Sequence, residues 1–229
     1  MLQDIVPAGV SAATTRADAP AAMLLPEEEV AVANATDARR REFSTARSCA
    51  RRALEPWGFS GQAIPMMSSG APRWPPGIVG SITHCDGFRA CAVGRDSDLA
   101  AIGIDAEPNE PLPDGLLRDI AGFEERDQVT KLARRAPRVH WDRLLFCMKE
   151  AAYKAWFPLT GRRLGFDDAV VAVDPGSRVF TVRASAPDQS FDGVGLASLS
   201  GRWLVRDGFL LTALAVPAAT APPARRLRR

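Results

Sequence analysis

The chain has 229 residues, of which 46% are hydrophobic and 24% are charged, the balance of a soluble globular protein that can bury a core. Its 29 lysines and arginines stand against 27 aspartates and glutamates, whereas a dedicated nucleic-acid-binding protein carries a larger basic excess. Its apolar runs are too short to span a bilayer, and no secretion signal is visible at the N-terminus. We therefore expect a cytoplasmic protein that binds neither nucleic acid nor membrane.

The rare residue types exclude further classes. With only two histidines, His84 and His140, a three-histidine zinc site is impossible. The four cysteines lack the Cys-x-x-Cys spacing of structural zinc sites, and we expect them to be reduced. The glycine-rich nucleotide loops of the Rossmann and P-loop types are also absent. Any metal chemistry must therefore depend on carboxylates.

The first half of the chain predicts helices followed by strands. Residues 1–20 show no clear period and predict a disordered tail. Pro26, followed by three glutamates, predicts a helix start, and a second helix is predicted from Asp37 to about Leu54. The Gly-, Pro- and Ser-rich residues 61–77 predict a loop. Three strands follow, Ile78–His84, Phe88–Gly94 and Ala100–Glu107, with a hairpin turn at Asp86-Gly87.

The second half repeats this order. Prolines between 108 and 113 predict a boundary, so that residues 21–108 and 109–217 form two halves. A central helix is predicted over Trp141–Phe157, ending at Pro158. Residues 218–229 predict a disordered basic tail. The predicted strands are Val170–Val173, Val179–Ala184, and the hairpin Arg202–Arg206 and Phe209–Val216. The fold class is α+β, with two similar α/β halves related by pseudo-two-fold symmetry, each a small antiparallel sheet packed on a long helix.

The segment Gly103-Ile104-Asp105-Ala106-Glu107 places two carboxylates together. Residues i and i+2 of a strand point to the same face, so Asp105 and Glu107 lie side by side while Ile104 faces the core. Paired carboxylates suit Mg²⁺, which prefers oxygen ligands. The alternative is a solvated strand end before a proline-rich loop.

The predicted central helix carries three charged residues in apolar surroundings. Glu150 and Lys154 have the spacing of an ordinary surface ion pair. Charges on a largely buried helix need partners or ligands, however. Glu150, beside Lys149 and Lys154, could therefore complete a metal site and hold phosphate oxygens.

Two other groups of residues have both a structural and a functional interpretation. Ser81 and His84 lie on a predicted strand, where the histidine is either a structural residue or a phosphate donor. Arg40, Arg47 and Arg51 share one face of the second helix, either as a solvated face or as a phosphate contact.

Taken together, these motifs resemble the 4′-phosphopantetheinyl transferases, in the two-domain class that activates siderophore, peptide and polyketide synthases. The resemblance covers roughly residues 24–216 and rests on several separated motifs in the right order. They are Arg47-Ser48-Cys49-Ala50-Arg51, the stretch Trp74–Cys85, Gly103-Ile104-Asp105-Ala106-Glu107, Trp141-Asp142-Arg143, Phe146–Phe157 and Pro158–Phe166.

The resemblance implies an activity and a set of site residues. The enzyme would move 4′-phosphopantetheine from coenzyme A to a serine of acyl or peptidyl carrier proteins, releasing 3′,5′-ADP, with Mg²⁺ (or Mn²⁺) as cofactor. It implies metal ligands at Asp105, Glu107 and Glu150, catalytic roles for Glu150 and Lys154, and coenzyme A contacts from Arg47, Arg51, Ser81, His84, Lys149 and Lys154.

Two departures and two alternatives qualify the resemblance. Ala106, between Asp105 and Glu107, has no side-chain oxygen, so we expect a water to fill that coordination position. Relatives often have a lysine where this chain has Ser69, so a contact with the 3′-phosphate of coenzyme A is missing unless Arg73 replaces it. The alternatives are an inactive coenzyme-A-binding regulator and a carboxylate–metal phosphohydrolase. We expect a monomer whose carrier partners dock near residues 108–126.

Overall fold

The computed structural model describes residues 1–18, 23–184, 190–191 and 194–219. Its five α-helices within this part of the chain are α1 (Pro26–Glu29), α2 (Asp37–Leu54), α3 (Leu116–Ile120), α4 (Phe123–Arg135) and α5 (Trp141–Thr160). The strands are β1 (Ser11–Thr15), β2 (Ile78–Cys85), β3 (Phe88–Arg95), β4 (Leu99–Pro108), β5 (Ala169–Asp174), β6 (Val179–Ala184), β7 (Ser190–Phe191), β8 (Val194–Gly195), β9 (Ser198–Arg206) and β10 (Phe209–Pro217).

Two antiparallel sheets confirm the predicted α+β class. The N-terminal sheet has the order β1-β3-β2, and the C-terminal sheet has the order β4-β10-β9-β6-β5. Helix α2 packs on the first sheet and α5 on the second, as predicted. A third core lies between the sheets and contains Phe88 of β3, Ile104 of β4 and Leu211 of β10.

Both predicted Asp-Gly hairpins are present. Asp86-Gly87 joins β2 to β3, and Gly87 has φ +69°. Asp207-Gly208 joins β9 to β10, and both residues have positive φ, +52° and +83°. Two consecutive positive φ angles are the requirement of a type I′ turn, which matches the twist of the strands it connects.

The N-terminus differs from the prediction of a disordered tail over residues 1–20. Residues 11–15 form β1, which pairs with β3, and Leu2 and Val10 are buried between the two sheets. Only Ala13 of the strand is buried, so the segment lacks the alternation by which a half-buried strand is recognised. The tail predicted at 218–229 lies outside the described residues except for 218 and 219.

Two predicted boundaries differ from those in the structure, the division between the halves and the end of the central helix. Strand β4 pairs with β10 along its length, so the sheets divide between β3 and β4 and not at residue 108. Strand pairing is non-local, and the prolines mark only where β4 ends. Helix α5 continues past Pro158 to Thr160. A proline in the last turn removes only one backbone donor, and the helical hydrogen bonding goes on after it, since Gly161 N–H donates to Phe157 O at 2.9 Å.

Candidate active site

A close contact between β4 and α5 places the predicted charged residues together. A Cβ atom added to Gly103 would lie 1.9 Å from the carbonyl oxygen of Ala151, so the helix backbone rests directly on the strand. Only glycine permits this approach. It places the end of β4 beside the third and fourth turns of α5, where Asp105 and Lys154 meet.

Asp105 accepts two hydrogen bonds on one oxygen. Lys154 Nζ lies 2.6 Å from Asp105 Oδ1, and Thr83 Oγ1 of β2 donates to the same oxygen at 2.8 Å. Asp105 is 4% exposed, and its Oδ2 is buried without a hydrogen-bond partner among the described residues. Lys154 therefore pairs with Asp105 and not, as the surface ion-pair interpretation required, with Glu150. A buried carboxylate oxygen without a hydrogen-bond partner is rare in native proteins and marks the position as one that needs a structural or functional explanation.

Two more carboxylates interact with Asp105 electrostatically. Glu107 Oε2 accepts a hydrogen bond from Arg143 Nη1 at 2.9 Å. Burial and the charge of Asp105 raise the pKa of Glu107, although Arg143 opposes the shift. Burial and the charge of Asp105 also raise the pKa of Glu150, with a further contribution from Glu107 and opposition from Lys154. Asp105 and Glu107 of β4 and Glu150 of α5 thus interact as one acidic group.

Two cations pair with the acidic group, Lys154 with Asp105 and Arg143 with Glu107. Burial by itself would lower the pKa of Lys154, but the charge and hydrogen bond of Asp105, aided by Glu150, outweigh it and raise that pKa. Lys154 is therefore a charged ammonium. Among the described residues, no three His, Cys, Asp or Glu side chains are arranged as a preformed metal site. The predicted metal ligands are neighbours of one another, and Lys154 and Arg143 are the cations paired with Asp105 and Glu107.

A cavity of about 680 Å³ opens beside Lys154, within the size range of small-molecule sites. Its walls come from the hairpin of residues 65–73, from β2 and β4, and from the C-terminal part of α5. The polar side chains that line it include those of Ser69, Arg73, Ser81, Tyr153 and Lys154. A smaller cavity of about 360 Å³ borders Glu150, Tyr153 and Arg163.

Ser81 and His84 have partners within the protein. Ser81 is buried, and its Oγ accepts a hydrogen bond from Ile104 N at 3.1 Å, which joins β2 to β4. His84 Nδ1 lies 3.0 Å from Glu42 Oε1, and its Nε2 lies 2.9 Å from Arg39 Nη1. Burial lowers the pKa of His84, and the charges of Arg39, Lys154 and Arg89 act in the same direction against that of Glu42. A neutral ring that donates from Nδ1 and accepts at Nε2 satisfies both contacts.

Both arginines that the resemblance assigned to phosphate make contacts within the protein, Arg51 through both Nη atoms and Arg47 through Nε. Arg51 Nη1 donates to both oxygens of the buried Glu28, at 2.8 and 2.9 Å, and its Nη2 donates to Met23 O. Arg47 Nε donates to Ile64 O at 2.7 Å, and its guanidinium lies over the ring of Phe43. Burial lowers the pKa of Arg47 to about 10. Neither arginine lines the large cavity.

Lys149 requires a correction, because its ammonium group does not reach the site. Its side chain is buried, and Nζ lies 2.7–3.0 Å from Glu125 Oε2 and from the carbonyl oxygens of Ile120, Phe166 and Ala169. Three N–H donors facing four acceptors leave none for a phosphate. Neighbouring residues of a helix point about 100° apart, so the Lys149 ammonium group and the Glu150 carboxylate point in different directions.

Sequence reasoning missed Thr83 and did not assign a role to Arg143. Thr83 is two residues from Ser81 on a strand, so the period of two already places both hydroxyls on one face. Arg143 lies within a motif that carried the resemblance, and nothing local indicates that it pairs with Glu107, 36 residues away.

Comparisons with known proteins match two stretches of the chain to family models. Residues 27–94 match the family model described as the 4′-phosphopantetheinyl transferase N-terminal domain, and residues 101–196 match that of the 4′-phosphopantetheinyl transferase superfamily. The unmatched gap between the two models, at residues 95–100, contains the point where the two sheets divide.

Three similar proteins carry the same description. The chain is 49% identical to the 4′-phosphopantetheinyl transferase Svp of Streptomyces mobaraensis over 210 residues, which cover 91% of this chain and 85% of that protein. It is 44% identical to Npt of Nocardia iowensis, covering 94% and 99%, and 44% identical to PptT of Mycobacterium tuberculosis, covering 86% and 88%.

The two-sheet fold and these matches define a two-half phosphopantetheine-transferring enzyme. The chain belongs to the 4′-phosphopantetheinyl transferase superfamily. It is a transferase that activates carrier proteins, and coenzyme A is the substrate of its family. The similar proteins are transferases by name, which favours this activity over the regulator and the phosphohydrolase. None of the described helices has the length and apolarity needed to cross a membrane.

Proposed function

We propose that the large cavity binds coenzyme A and that the acidic group beside it transfers 4′-phosphopantetheine to a serine of an acyl or peptidyl carrier protein. The serine oxygen bonds to the β-phosphorus, the pyrophosphate P–O bond breaks, and 3′,5′-ADP leaves. The observation that carries the proposal is Asp105, which is tied to Lys154 at the cavity wall and retains one unpaired buried oxygen.

The donor atoms of the acidic group suit a divalent cation of the Mg²⁺ or Mn²⁺ kind, although within the described part of the chain they are paired with cations and not arranged as a preformed site. Asp105, Glu107 and Glu150 supply oxygen donors, the type that these cations prefer. The raised pKa values of Glu107 and Glu150 show that their charges are unfavourable where they stand. A cation held by the three carboxylates would neutralise charge on the pyrophosphate during transfer.

Glu150 is the proposed base. Its raised pKa brings the carboxylate closer to the range in which a base accepts a proton effectively at neutral pH. It accepts the proton of the serine hydroxyl as the new P–O bond forms. Lys154 remains charged and stabilises the negative charge that develops on the leaving phosphate.

The phosphate contacts of the donor are proposed from the residues at or near the cavity. Ser81 and Arg73 line it, and His84 lies at the end of the same strand as Ser81. Arg47 remains a candidate for the 3′-phosphate, because only its Nε has a hydrogen bond to another described residue. Lys149 and Arg51 are withdrawn from this set, because their donors are already used within the protein.

The test is transfer to an apo carrier protein, followed by intact-protein mass spectrometry. Asp105→Ala and Glu150→Gln should each reduce kcat/KM by at least about a hundredfold, the effect typical of removing a catalytic acid–base group. Glu27→Gln, at an exposed carboxylate of α1, is the matched control. Near-normal turnover of either site variant with Mg²⁺ as the only divalent ion would contradict the assignment.

The surface around α3 and α4 is the proposed carrier-docking site. Phe123 is 80% exposed at the start of α4, which is unusual for a large apolar side chain and typical of a contact surface. Phe123→Ser should raise the KM for the carrier and leave the KM for coenzyme A unchanged. An unchanged KM for the carrier would remove this surface from the proposal.

A further inference from the structure

The hairpin of residues 65–73 forms one wall of the large cavity. Arg73 N–H donates to Pro65 O at 2.8 Å, and Met67 N–H donates to Ala71 O at 2.8 Å, which closes the hairpin on itself. Residues 67 and 69–74 line the cavity. Groups outside the hairpin hold both of its ends.

At the inner end, both backbone polar groups of Ile64 are held by charged side chains. Ile64 N–H donates to Glu28 Oε1 at 2.9 Å, and Ile64 O accepts from Arg47 Nε at 2.7 Å. The Ile64 side chain is fully buried in the core beneath α2. The residue that precedes the hairpin is therefore fixed from α1, from α2 and from the core.

Glu28 is itself immobilised. The residue is 0% exposed, and Oε1 and Oε2 accept hydrogen bonds from Arg51, while Oε2 also accepts from Leu25 N–H at 3.0 Å. A fully buried carboxylate that accepts several charge-assisted or backbone hydrogen bonds cannot shift without losing them. At the outer end of the hairpin, Trp74 Nε1 donates to Gly80 O of β2 at 3.0 Å.

We propose that Glu28, together with Arg47 and Arg51, positions the hairpin that forms the donor-binding wall. This inference rests on the proposed placement of coenzyme A in the large cavity. Glu28 does not line the cavity, so it acts through Ile64 as a positioning residue. Its loss should weaken donor binding equally in the ground state and the transition state, which raises KM and leaves kcat unchanged.

The experiment compares coenzyme A with 3′-dephospho-coenzyme A as donors for the Glu28→Gln variant. We expect the KM for both donors to rise by the same factor, on the order of tenfold, while kcat stays within about twofold of the unmodified enzyme. Glu29→Gln, which removes an exposed partner of Arg40 on the same helix, should change neither constant. An unchanged KM in Glu28→Gln, or a loss confined to kcat, would overturn the proposal.

A second variant separates positioning from direct phosphate contact and remains informative if Glu28→Gln does not fold. Arg51→Lys keeps a charge opposite Glu28 but cannot reproduce the bonds from two guanidinium nitrogens. A positioning role predicts equal KM increases for the two donors. An increase for coenzyme A alone would show that Arg51 contacts the 3′-phosphate, and this would overturn the proposal.

Variants of the cavity wall distinguish a failure of this inference from a failure of the donor placement. Arg73→Ala and Tyr153→Ala alter residues that line the cavity. If they raise the KM for coenzyme A and the Glu28 and Arg51 variants do not, the positioning role alone is wrong. If none of the four variants changes the KM, coenzyme A does not bind in this cavity.

Discussion

The N-terminal and C-terminal halves each contain a buried glutamate that pairs with a cation of the long helix. In the first half, Glu28 is the third residue of α1, accepts the N–H of Leu25, and pairs with Arg51 of α2. It also accepts the N–H of Ile64 from the segment that follows α2. One carboxylate thus joins the short helix, the long helix and the chain beyond it.

The second half repeats this arrangement with different residues. Glu125 is the third residue of α4, accepts the N–H of Gly122, and pairs with Lys149 of α5 at 2.9 Å. It also accepts the N–H of Val171 from β5, which follows α5. In each half, one glutamate accepts an N–H at the start of its own helix, pairs with a cation of the long helix, and accepts an N–H from the chain that follows the long helix. This shared pattern supports the prediction that the two halves are similar.

The difference between the two pairs lies in exposure and in what each one holds. The Arg51 side chain is 17% exposed, and its pair with Glu28 holds the base of a cavity-lining hairpin. The Lys149 and Glu125 side chains are 2% and 3% exposed, and their pair holds the helix that carries Glu150 and Lys154. The same arrangement therefore holds a cavity-lining hairpin in one half and, in the other, the helix that carries Glu150 and Lys154.

The largest expected effect comes from breaking the more deeply buried pair. Lys149→Met removes the cation that pairs with the buried Glu125 and the donor to three carbonyl oxygens, so the free energy of unfolding should fall by about 3–5 kcal/mol. Arg51→Met should cost less, about 1–3 kcal/mol, because water can reach the vacated position.

Chemical denaturation measures both losses, with Lys131→Met as the control. Lys131 forms an exposed pair with Asp127, and its removal should change stability by at most about 1 kcal/mol. Equal losses in the Lys149 and Arg51 variants would show that burial does not distinguish the two halves.

A smaller effect is expected at the contact between α5 and β4. There the helix backbone rests directly on the strand, whereas α2 packs on β3 through side chains such as those of Cys49 and Cys91. In Gly103→Ala, the added methyl group meets the backbone of α5, and the strain should cost about 3 kcal/mol, near the upper end for overpacking. Transfer activity should fall as well, because Asp105 and Lys154 are drawn apart.

Gly122→Ala is the matched control, since its methyl group would meet nothing nearer than 4.0 Å. Melting temperature and kcat are measured for both variants. A Gly103→Ala protein with unchanged kcat would show that the helix can move away from β4 without disturbing the acidic group.

The smallest effect concerns His84, in the N-terminal half. Burial lowers its pKa below the ordinary value of 6.5, so near that pH the folded protein binds fewer protons than the unfolded chain. The free energy of unfolding therefore increases as the pH rises through this range. His84→Gln should flatten the dependence by about 1–2 °C in melting temperature between about pH 5.5 and 7.5. Identical slopes for the two proteins would contradict the neutral state of His84.

The sequence by itself determined the local elements and the residues that carry the chemistry. Alternation along β4 placed Asp105 on the opposite face from Ile104, and the Asp-Gly pairs marked both hairpins, because these features depend on the period of two and on local backbone preferences. The spaced motifs identified the family because each motif is a contiguous stretch of sequence and can be recognised without knowledge of any tertiary contact.

Only the tertiary structure decided which charged groups meet. Lys154 pairs with Asp105, 49 residues away, and not with Glu150, one helical turn away. Lys149 and Arg51, both assigned to phosphate from the sequence, are instead tied to glutamates 24 and 23 residues away. A buried charge is satisfied by whichever partner the packing of distant elements brings to it, and spacing along the chain does not encode that partner.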